Sequence, residues 1–399
     1  MIADEGRACI PFSALLDDLT ALDEKGLRRH RRTLDSMQRA HVTVDGTPYV
    51  AFCSNDYLGL ASHPALIAAA QAGATTYGLG AGASHLVLGH SRAHEQLEQA
   101  LAAFTGLPRA LLFSTGYMAN LGVVTALLGR EDVVFADRLN HASLNDACLL
   151  ARAQFKRYAH NDLDQLESLL ASAKARRKLI VVDAVFSMDG DIAPVLQLVA
   201  LAERYDAWLL LDDAHGFGVL GAGGRGVLEH FGVQHQRIIY MATLGKAAGV
   251  FGAFVAGDAT LIETLLQRAR TYIYTTAMPP LLACAVSKSV ELIAAGAALR
   301  KQLTENIIQL KQILTNNIPN GWQLLPSLTA IQPLVIGDNR AAIAIAEHLA
   351  AHGVLVPAIR PPTVPQGTAR LRISLSAAHT QDDVRLLGDA LITAGEACH

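Results

Sequence analysis

Apolar runs that end abruptly in polar residues recur through the middle of this chain, and we interpret them as the strands of one sheet. The runs are almost continuous in Leu, Ile, Val and Ala, as are strands that are buried on both faces. Helical stretches separate them, and this alternation predicts a largely parallel sheet with helices on both faces. The runs cover residues 111–113, 133–137, 178–183, 208–212, 237–242 and 251–257.

The amino-terminal stretch has a different pattern. Leucines at helical spacing between residues 15 and 27 predict one helix. Residues 42–50 alternate in the way that strands do and contain Asp45 and Gly46, a pair typical of a tight turn, so they predict a hairpin. These elements are too small to bury a core of their own, and we interpret residues 1–50 as an arm.

The pattern changes again near residue 285. Beyond it, the spacing of apolar residues predicts helices over 286–315 and 340–352 and strands over 331–336 and 369–375. This mixture predicts a smaller α+β domain that covers one side of a crevice. The division is therefore an arm (1–50), a large α/β domain (51–285) and a small carboxyl-terminal domain (286–399).

Composition narrows the class of protein. The 399 residues are 51% hydrophobic and 17% charged, which is typical of a globular protein with a large core. The formal net charge of −3 gives no electrostatic reason to expect nucleic acid as a partner. The one basic run, residues 28–32, reads for the most part as the solvated face of a helix.

The cysteines and the apolar segments bear on compartment. The five cysteines are odd in number and none has Cys-x-x-Cys spacing, so they predict neither a disulfide framework nor a zinc site. No unbroken apolar run is long enough to span a bilayer, and residues 1–7 lack the apolar core of a signal peptide. We therefore expect a cytoplasmic protein. The cysteines are Cys9, Cys53, Cys148, Cys284 and Cys398.

Two neighbouring strands carry the candidate chemistry. The strand over 208–212 ends in carboxylates at Asp212 and Asp213, with His215 just beyond, and the next strand leads to Thr243 and Lys246. Parallel strands place such residues together at the carboxyl edge of the sheet. An acid, an imidazole and an amine suit pyridoxal phosphate, because the acid keeps the pyridine nitrogen protonated and the lysine forms a Schiff base with the aldehyde.

Three glycine-containing stretches are possible phosphate-binding sites. Residues 78–83 and 221–226 imitate a dinucleotide fingerprint, but the first follows a helix. The second follows a strand only after a loop, and no acidic residue ends a second strand at the required distance. Residues 111–120 read instead as a strand, a turn and a helix start at Gly116 and Tyr117, and helix amino termini bind phosphate. A nucleotide-binding protein using residues 221–226 stays an alternative.

Several of these motifs together resemble one family. The chain is similar to the α-oxoamine synthases, which are fold-type I pyridoxal-phosphate enzymes, and the resemblance runs through nearly the whole chain. It implies a mostly parallel seven-stranded sheet with helices on both faces and a smaller α+β domain. The matching pieces, in the order of the family, are residues 54–60, 137–143, 185–190, 212–216, 243–246 and 358–365.

The resemblance implies a role for each cofactor residue. Lys246 is the Schiff-base lysine, and Asp212 faces the pyridine nitrogen, while Asp213 points to the opposite side of the strand. His215 hydrogen-bonds the ring hydroxyl and His141 stacks on the ring and helps to orient the substrate. Polar contacts and phosphate contacts come from Gly116, Tyr117, Ser187 and Thr243, and from Thr275 and Thr276, which reach the phosphate of a neighbouring subunit and so imply a homodimer.

The resemblance also implies a substrate site. Arg360, on a loop stiffened by the following prolines, is expected to bind the amino-acid carboxylate, because a guanidinium can bind a carboxylate through two hydrogen bonds. Arg29, Asn55 and Thr363 are the other substrate contacts, with His141. No metal ligand is implied.

Within the family, residues 330–334 and 358–372 most resemble members that condense L-alanine with a pimeloyl thioester in biotin biosynthesis. The expected reaction is decarboxylative, with coenzyme A or an acyl carrier protein as the thiol. The alternatives are siblings of the types of 2-amino-3-ketobutyrate CoA ligase, 5-aminolevulinate synthase and serine palmitoyltransferase. A non-catalytic subunit of a heterodimeric synthase is a further alternative, against which Lys246 counts.

Two departures from the family pattern are visible. Asp183 and Ala184 stand where close relatives often have Glu-Gly, and His85 stands where they commonly have Arg. Asp183 keeps the charge on a shorter side chain. The role of the family arginine is left open by His85.

Overall fold

The central sheet has seven strands, as the resemblance predicted. The computed structural model describes residues 12–315 and 317–397. The strand order is β3-β9-β8-β7-β6-β4-β5, with parallel pairing except at β9, which runs antiparallel to both of its neighbours. The strands are β3 (Arg109–Phe113), β4 (Val133–Asp137), β5 (Gln154–Tyr158), β6 (Lys178–Asp183), β7 (Trp208–Asp212), β8 (Ile238–Thr243) and β9 (Ala253–Gly257).

Helices cover both faces of this sheet and bury it in two hydrophobic clusters. Alternate residues of one strand face opposite clusters; Leu209 and Leu211 belong to the larger cluster and Leu210 to the smaller. The helices of this part of the chain are α2 (Pro64–Tyr77), α3 (Arg92–Thr105), α4 (Gly116–Leu127), α5 (Ala142–Leu150), α6 (Leu163–Ser172), α7 (Val195–Arg204), α8 (Val227–Phe231), α9 (Ala259–Arg268), α10 (Arg270–Ile273) and α11 (Pro280–Ala295), with a π-helical turn at His85–Gly89.

Two smaller sheets complete the fold. The predicted hairpin is present as β1 (His41–Val44) and β2 (Thr47–Ala51). Strand β2 also pairs in parallel with β12 (Val354–Leu355), so the arm is joined to the carboxyl-terminal part. A four-stranded antiparallel sheet has the order β10-β11-β14-β13. The elements are α1 (Ser13–Glu24), β1 (His41–Val44), β2 (Thr47–Ala51), α12 (Ala297–Thr315), β10 (Gln323–Leu324), β11 (Ile331–Gly337), α13 (Asn339–Ala351), β12 (Val354–Leu355), β13 (Ala358–Ile359), β14 (Ala369–Ser374) and α14 (Gln381–Ala397).

The structure differs from the sequence-based elements in several places. Helix α14 and the short strands β10, β12 and β13 were not predicted. Strand β5 was not predicted, because it is an edge strand whose residues are mostly polar and partly exposed. The helix predicted over 286–315 is two helices, α11 and α12, which bend by 70° around Gly296. Helix α11 crosses residue 285 and packs against α2 and α3, so the domain boundary at that residue stays a prediction.

Among the described residues, no single helix is long and apolar enough to cross a bilayer. The bent pair α11–α12 together has a sufficient length and apolar composition, and these are the only grounds for considering it.

Candidate active site

The polar ends of the central strands meet around one cavity of about 170 Å³. Strands β6, β7 and β8 lie side by side, and their pairing sets Asp183 opposite Asp212. The carboxyl edge of the sheet therefore collects the side chains that the strand pattern predicted. The cavity is lined by Gly116, Tyr117, Asn120, His141, Ser143, Asp183, Val185, Ser187, Asp212, Ala214, His215, Met241, Thr243 and Lys246.

Asp212 and Asp213 face opposite sides of the strand end. Asp212 lines the cavity; its Oδ2 accepts from Asn120 Nδ2 at 2.8 Å and its Oδ1 from the Ala214 amide at 3.1 Å. Asp213 is fully buried behind it, where Oδ2 accepts from the Val227 amide at 2.7 Å and the Tyr240 hydroxyl at 2.8 Å. Asp212 is thus positioned for a ligand and Asp213 holds the loop that follows β7.

Lys246 reaches the cavity from the loop after β8. Its Nζ lies 2.8 Å from Nε2 of His215, a nearly buried imidazole. Burial lowers the pKa of Lys246 to about 8, against the opposing effect of the carboxylates of Asp212 and Asp183. Burial, with the charge of Lys246, also holds the pKa of His215 well below its usual range. A large fraction of the amine is therefore neutral near pH 8, which proton abstraction and imine formation both require.

The start of helix α4 forms one wall. Thr115 caps the helix, its hydroxyl accepting from the Met118 amide at 3.1 Å. A Cβ at Gly116 would lie 2.7 Å from Cγ2 of Thr243, so only glycine allows the helix to begin this close to β8. The first amides of a helix have no acceptor within the helix, and the helix dipole favours an anion there.

His141 and Asp183 form the opposite wall. His141 caps helix α5: Nδ1 lies 2.8 Å from the Ser143 hydroxyl and accepts from the Ser143 amide at 3.2 Å. Burial lowers the pKa of this imidazole. The His141 amide donates to Oδ2 of Asp183 at 2.9 Å. Full burial, and then the nearby Asp212, raise the pKa of Asp183 well above its usual range.

A buried set of hydrogen-bonded side chains lies next to His215 and Lys246, and the sequence did not predict that these residues meet. The Tyr57 hydroxyl lies 2.7 Å from Nδ1 of His215 and 3.1 Å from Oδ1 of Asn55. Arg372 donates to the same Asn55 oxygen at 3.2 Å and to the backbone oxygen of Ser187. Tyr57 and Arg372 both lie in motifs quoted above, but nothing in the sequence indicates which arginine in residues 358–372 contacts this group.

Five of the predicted residues lie away from this cavity. Arg360 donates to the backbone oxygen of Gly26, and Thr363 is exposed on the loop that follows it. Arg29 is exposed near the amino terminus. Thr275 lines a separate surface cavity, and Thr276 is exposed. A single chain therefore brings together the predicted cofactor residues except these two threonines. Of the predicted substrate contacts, His141 lines the cavity, and Asn55 contacts the Tyr57 hydroxyl, which in turn contacts His215.

A second polar cluster lies at the same edge of the sheet. His160 bridges two carboxylates, with Nδ1 at 3.1 Å from Asp137 and Nε2 at 2.9 Å from Asp191. These two hydrogen bonds overcome the opposing effect of burial and raise the pKa of His160 to about 10. The cluster ties the end of β4, which leads to His141, to the loop that contains Ser187.

Three further histidines gather at the His85 departure. Ring nitrogens of His85, His90 and His94 lie within 4.8 Å of one another, which is close enough for a metal ion. They also hydrogen-bond without one: Nδ1 of His85 lies 3.0 Å from Nδ1 of His90, and Nε2 of His94 lies 2.7 Å from the Met278 oxygen. His94 also bonds the amide of Ser91 to close the cap of helix α3. These contacts account for the arrangement of the three rings.

Comparison with known proteins gives concordant matches. The family model for class I and II aminotransferases matches residues 47–391. The chain is 64% identical over 377 residues to the 8-amino-7-oxononanoate synthase of Nitrosospira multiformis, covering 94% of each chain. It is 62% identical to the enzyme of the same name from Methylobacillus flagellatus, covering 97% of each.

Solved structures extend the comparison to the fold. A serine palmitoyltransferase from Sphingomonas wittichii is 31% identical, with a TM-score of 0.91 and 97% of each chain covered. An 8-amino-7-oxononanoate synthase from Francisella tularensis is also 31% identical, with a TM-score of 0.76 over 88% of this chain and 98% of that one. Another serine palmitoyltransferase structure is described as holding pyridoxal phosphate. The predicted fold-type I architecture is confirmed, and the chain belongs to the class I and II aminotransferase family and, within it, to the 8-amino-7-oxononanoate synthases.

Proposed function

We propose that this chain uses pyridoxal phosphate to condense L-alanine with a pimeloyl thioester, releasing carbon dioxide and the thiol and forming 8-amino-7-oxononanoate for biotin biosynthesis. The acyl carrier is coenzyme A or an acyl carrier protein. The observation that carries the proposal is the cavity in which Lys246, His215 and Asp212 meet, in a chain more than 60% identical to synthases of that name.

The residues around the cavity fit pyridoxal phosphate. Asp212 offers a carboxylate for the pyridine nitrogen, and Lys246 offers an amine with a lowered pKa for the aldehyde. The amino terminus of α4 and the Thr243 hydroxyl offer donors for the phosphate, with a glycine where a side chain would collide. Two buried oxygens of the lining, Asn120 Oδ1 and Asp183 Oδ1, have no hydrogen-bond partner among the described residues.

Each residue has a task in the proposed reaction. Pyridoxal phosphate, when bound, withdraws electrons from the α-carbon of the amino acid. Asp212 holds the proton on the pyridine nitrogen, and the amine of Lys246 takes the α-proton of alanine. His141, on the wall facing that position, donates to the oxyanion that develops when the α-carbon attacks the thioester. Lys246 then returns a proton to the same carbon after carbon dioxide leaves.

Burial favours Arg372 over Arg360 as the partner of the alanine carboxylate. Arg372 is 6% exposed and contacts Asn55 and Ser187 beside the cavity, whereas Arg360 lies outside it in the single chain. A guanidinium in a water-poor crevice binds a carboxylate more strongly than one at the surface. Replacing Arg372 by Lys is expected to raise the KM for L-alanine about 100-fold, and Arg360→Lys much less.

We also propose a homodimer with shared sites. Thr275 and Thr276 do not reach the cavity of their own chain, so they are free to serve a second one. Tyr274 beside them is 71% exposed, and Val87 and Leu88 on the neighbouring π-helical turn are also largely exposed. Exposed apolar side chains in one region are typical of a surface that a partner covers.

The test is the visible spectrum of the purified protein during additions of L-alanine, glycine and L-serine, each followed by pimeloyl-CoA. The proposal expects a yellow protein whose band shifts with alanine, and formation of 8-amino-7-oxononanoate by mass spectrometry. A shift with glycine or serine and no response to pimeloyl-CoA would mean that the chain has the activity of one of the related synthases instead. A protein that takes up no pyridoxal phosphate would refute the proposal at its centre.

A further inference from the structure

A continuous line of buried polar contacts leads from Arg372 to Lys246. Arg372 Nη2 lies 3.5 Å from the Tyr57 hydroxyl, that hydroxyl lies 2.7 Å from Nδ1 of His215, and Nε2 of His215 lies 2.8 Å from Nζ of Lys246. Tyr57 is fully buried, and its own backbone is fixed by the amide of Ala377 at 2.8 Å. The tyrosine hydroxyl is therefore held in place from outside the cavity.

The donors and acceptors along this line restrict where protons lie. Arg372 has only donors, so the Tyr57 oxygen accepts from it, and burial raises the pKa of Tyr57 and keeps its proton on the hydroxyl. That proton has two acceptors within reach, Nδ1 of His215 at 2.7 Å and Oδ1 of Asn55 at 3.1 Å. The shorter contact favours Nδ1 of His215 as the acceptor, and Asn55 Oδ1 also accepts from Arg372.

We propose that Tyr57 is a positioning residue that donates to Nδ1 of His215 and thereby fixes the remaining proton of that imidazole on Nε2, facing Lys246. A donor at Nε2 stabilises the neutral amine of Lys246, which can accept, and disfavours the ammonium form, which cannot. The same donor is available to the ring oxygen of pyridoxal phosphate. This inference rests on the proposed function only for that last step.

Other charged groups also act on the Lys246 amine, and their charges are the same in the wild-type protein and in Tyr57→Phe. The carboxylates of Asp212, Asp183 and Asp213 favour the ammonium form of Lys246, and Arg372 opposes it, as does burial. On the opposite wall, burial lowers the pKa of His141; Asp212 opposes this effect and the charge of Lys246 adds to it. Tyr57→Phe removes only a hydroxyl, so all of these charges remain; of these groups, Arg372 alone loses a contact, the one at 3.5 Å to that hydroxyl.

The experiment is the pH dependence of reductive methylation of Lys246 by formaldehyde and cyanoborohydride in the full chain without cofactor, followed by mass spectrometry of the Lys246 peptide. In Tyr57→Phe, His215 is released to carry its proton on Nδ1 and accept from the ammonium form, so the modification curve moves to higher pH. We expect modification at pH 7 to slow about tenfold, which corresponds to about one pH unit. An unchanged curve, or a shift to lower pH, overturns the proposal.

Two control variants distinguish the proposed effect of Tyr57 through His215 from a general disturbance of the fold. Tyr158→Phe removes another buried hydroxyl, one without a hydrogen-bond partner among the described residues, and should leave the curve in place. In a His215→Asn background, Tyr57→Phe should cause no further shift, because the intermediate ring is gone. A shift that persists in that background contradicts the proposal.

A measurement on the unaltered protein covers the case in which Tyr57→Phe fails to fold. The ¹⁵N chemical shifts of labelled histidine, with His215 assigned by its loss in His215→Asn, report which ring nitrogen carries the proton. A bare Nδ1 supports the proposal and a protonated Nδ1 refutes it. Pyridoxal-phosphate uptake is measured separately, so failure of the proposed function leaves both results interpretable.

Discussion

Two clusters of titratable groups at the same edge of the central sheet have opposite electrostatic arrangements. Around His160, Asp137 and Asp191 each hydrogen-bond one ring nitrogen, and the pKa of the imidazole rises to about 10. Around Lys246, by contrast, no carboxylate oxygen of the described residues lies within 4 Å of the amine. The pKa of that amine falls to about 8.

The difference separates a structural cluster from a reactive one. Paired charges stabilise the fold and resist titration, which suits His160 because it joins two loops of the cavity. Unpaired buried groups cost stability, and they hold protons near the pH at which they must be exchanged. Substitution should therefore harm stability in the first cluster and activity in the second.

The largest effect is expected for Lys246→Ala. Because the amine carries both proton transfers in the proposed reaction, the rate of 8-amino-7-oxononanoate formation should fall at least about 10³-fold. Product formation measured by mass spectrometry checks this. Lys288→Ala removes an exposed lysine that pairs with Glu291 and should leave the rate within twofold; equal losses in both variants would contradict the assignment.

The two adjacent carboxylates should separate activity from stability. Asp212→Asn is expected to lower kcat about 100-fold with little change in unfolding, because it removes a charge aimed at the cavity. Asp213→Asn weakens the hydrogen bonds that this side chain accepts from the Val227 amide and the Tyr240 hydroxyl. Because the side chain is fully buried, the free energy of unfolding should fall by about 2 kcal/mol. Steady-state kinetics and urea unfolding of both variants test the pair, and the reverse pattern would exchange the two roles.

His160→Gln should lower the free energy of unfolding by about 2 kcal/mol at pH 6. The folded pKa of about 10 lies above the ordinary value of 6.5, so the contribution of His160 is complete below pH 6.5 and is lost as pH rises toward 10. Urea unfolding at pH 6 and pH 9.5 should show the difference from wild type shrinking. A difference that is constant with pH would mean that the imidazole charge is not involved.

The smallest expected effect is a gain in the free energy of unfolding rather than a loss. The folded pKa of Lys246 lies below its ordinary value of 10.5, so its burial costs stability below pH 8, and that cost disappears as pH rises to 10.5. Lys246→Met in cofactor-free protein should gain about 1 kcal/mol at pH 7, a value reduced because the side chain is only half-buried by surface area. Thermal unfolding across pH tests this, and a loss of stability at pH 7 would contradict it.

Local pattern was enough to find much of the molecule. The apolar runs ending at Asp183, Asp212 and Thr243 predicted the parallel core of the sheet, since strands buried on both faces leave an unbroken apolar signal. Lys246 and His215 were found because they follow such strands directly. Strand β5 was not predicted, because an exposed edge strand does not contain an unbroken apolar run.

The amino-acid sequence alone therefore predicts the order of the strands along the chain and the residues that the strand ends carry. Tertiary structure decided which distant side chains meet: Tyr57 contacts His215, 158 positions away, and lies 3.5 Å from Arg372, 315 positions away. It also places Arg372 against Asn55 and Ser187 beside the cavity, whereas Arg360 donates to the backbone oxygen of Gly26. The physical reason is that periodicity reports which face of an element is buried, whereas contacts between elements depend on how whole elements pack.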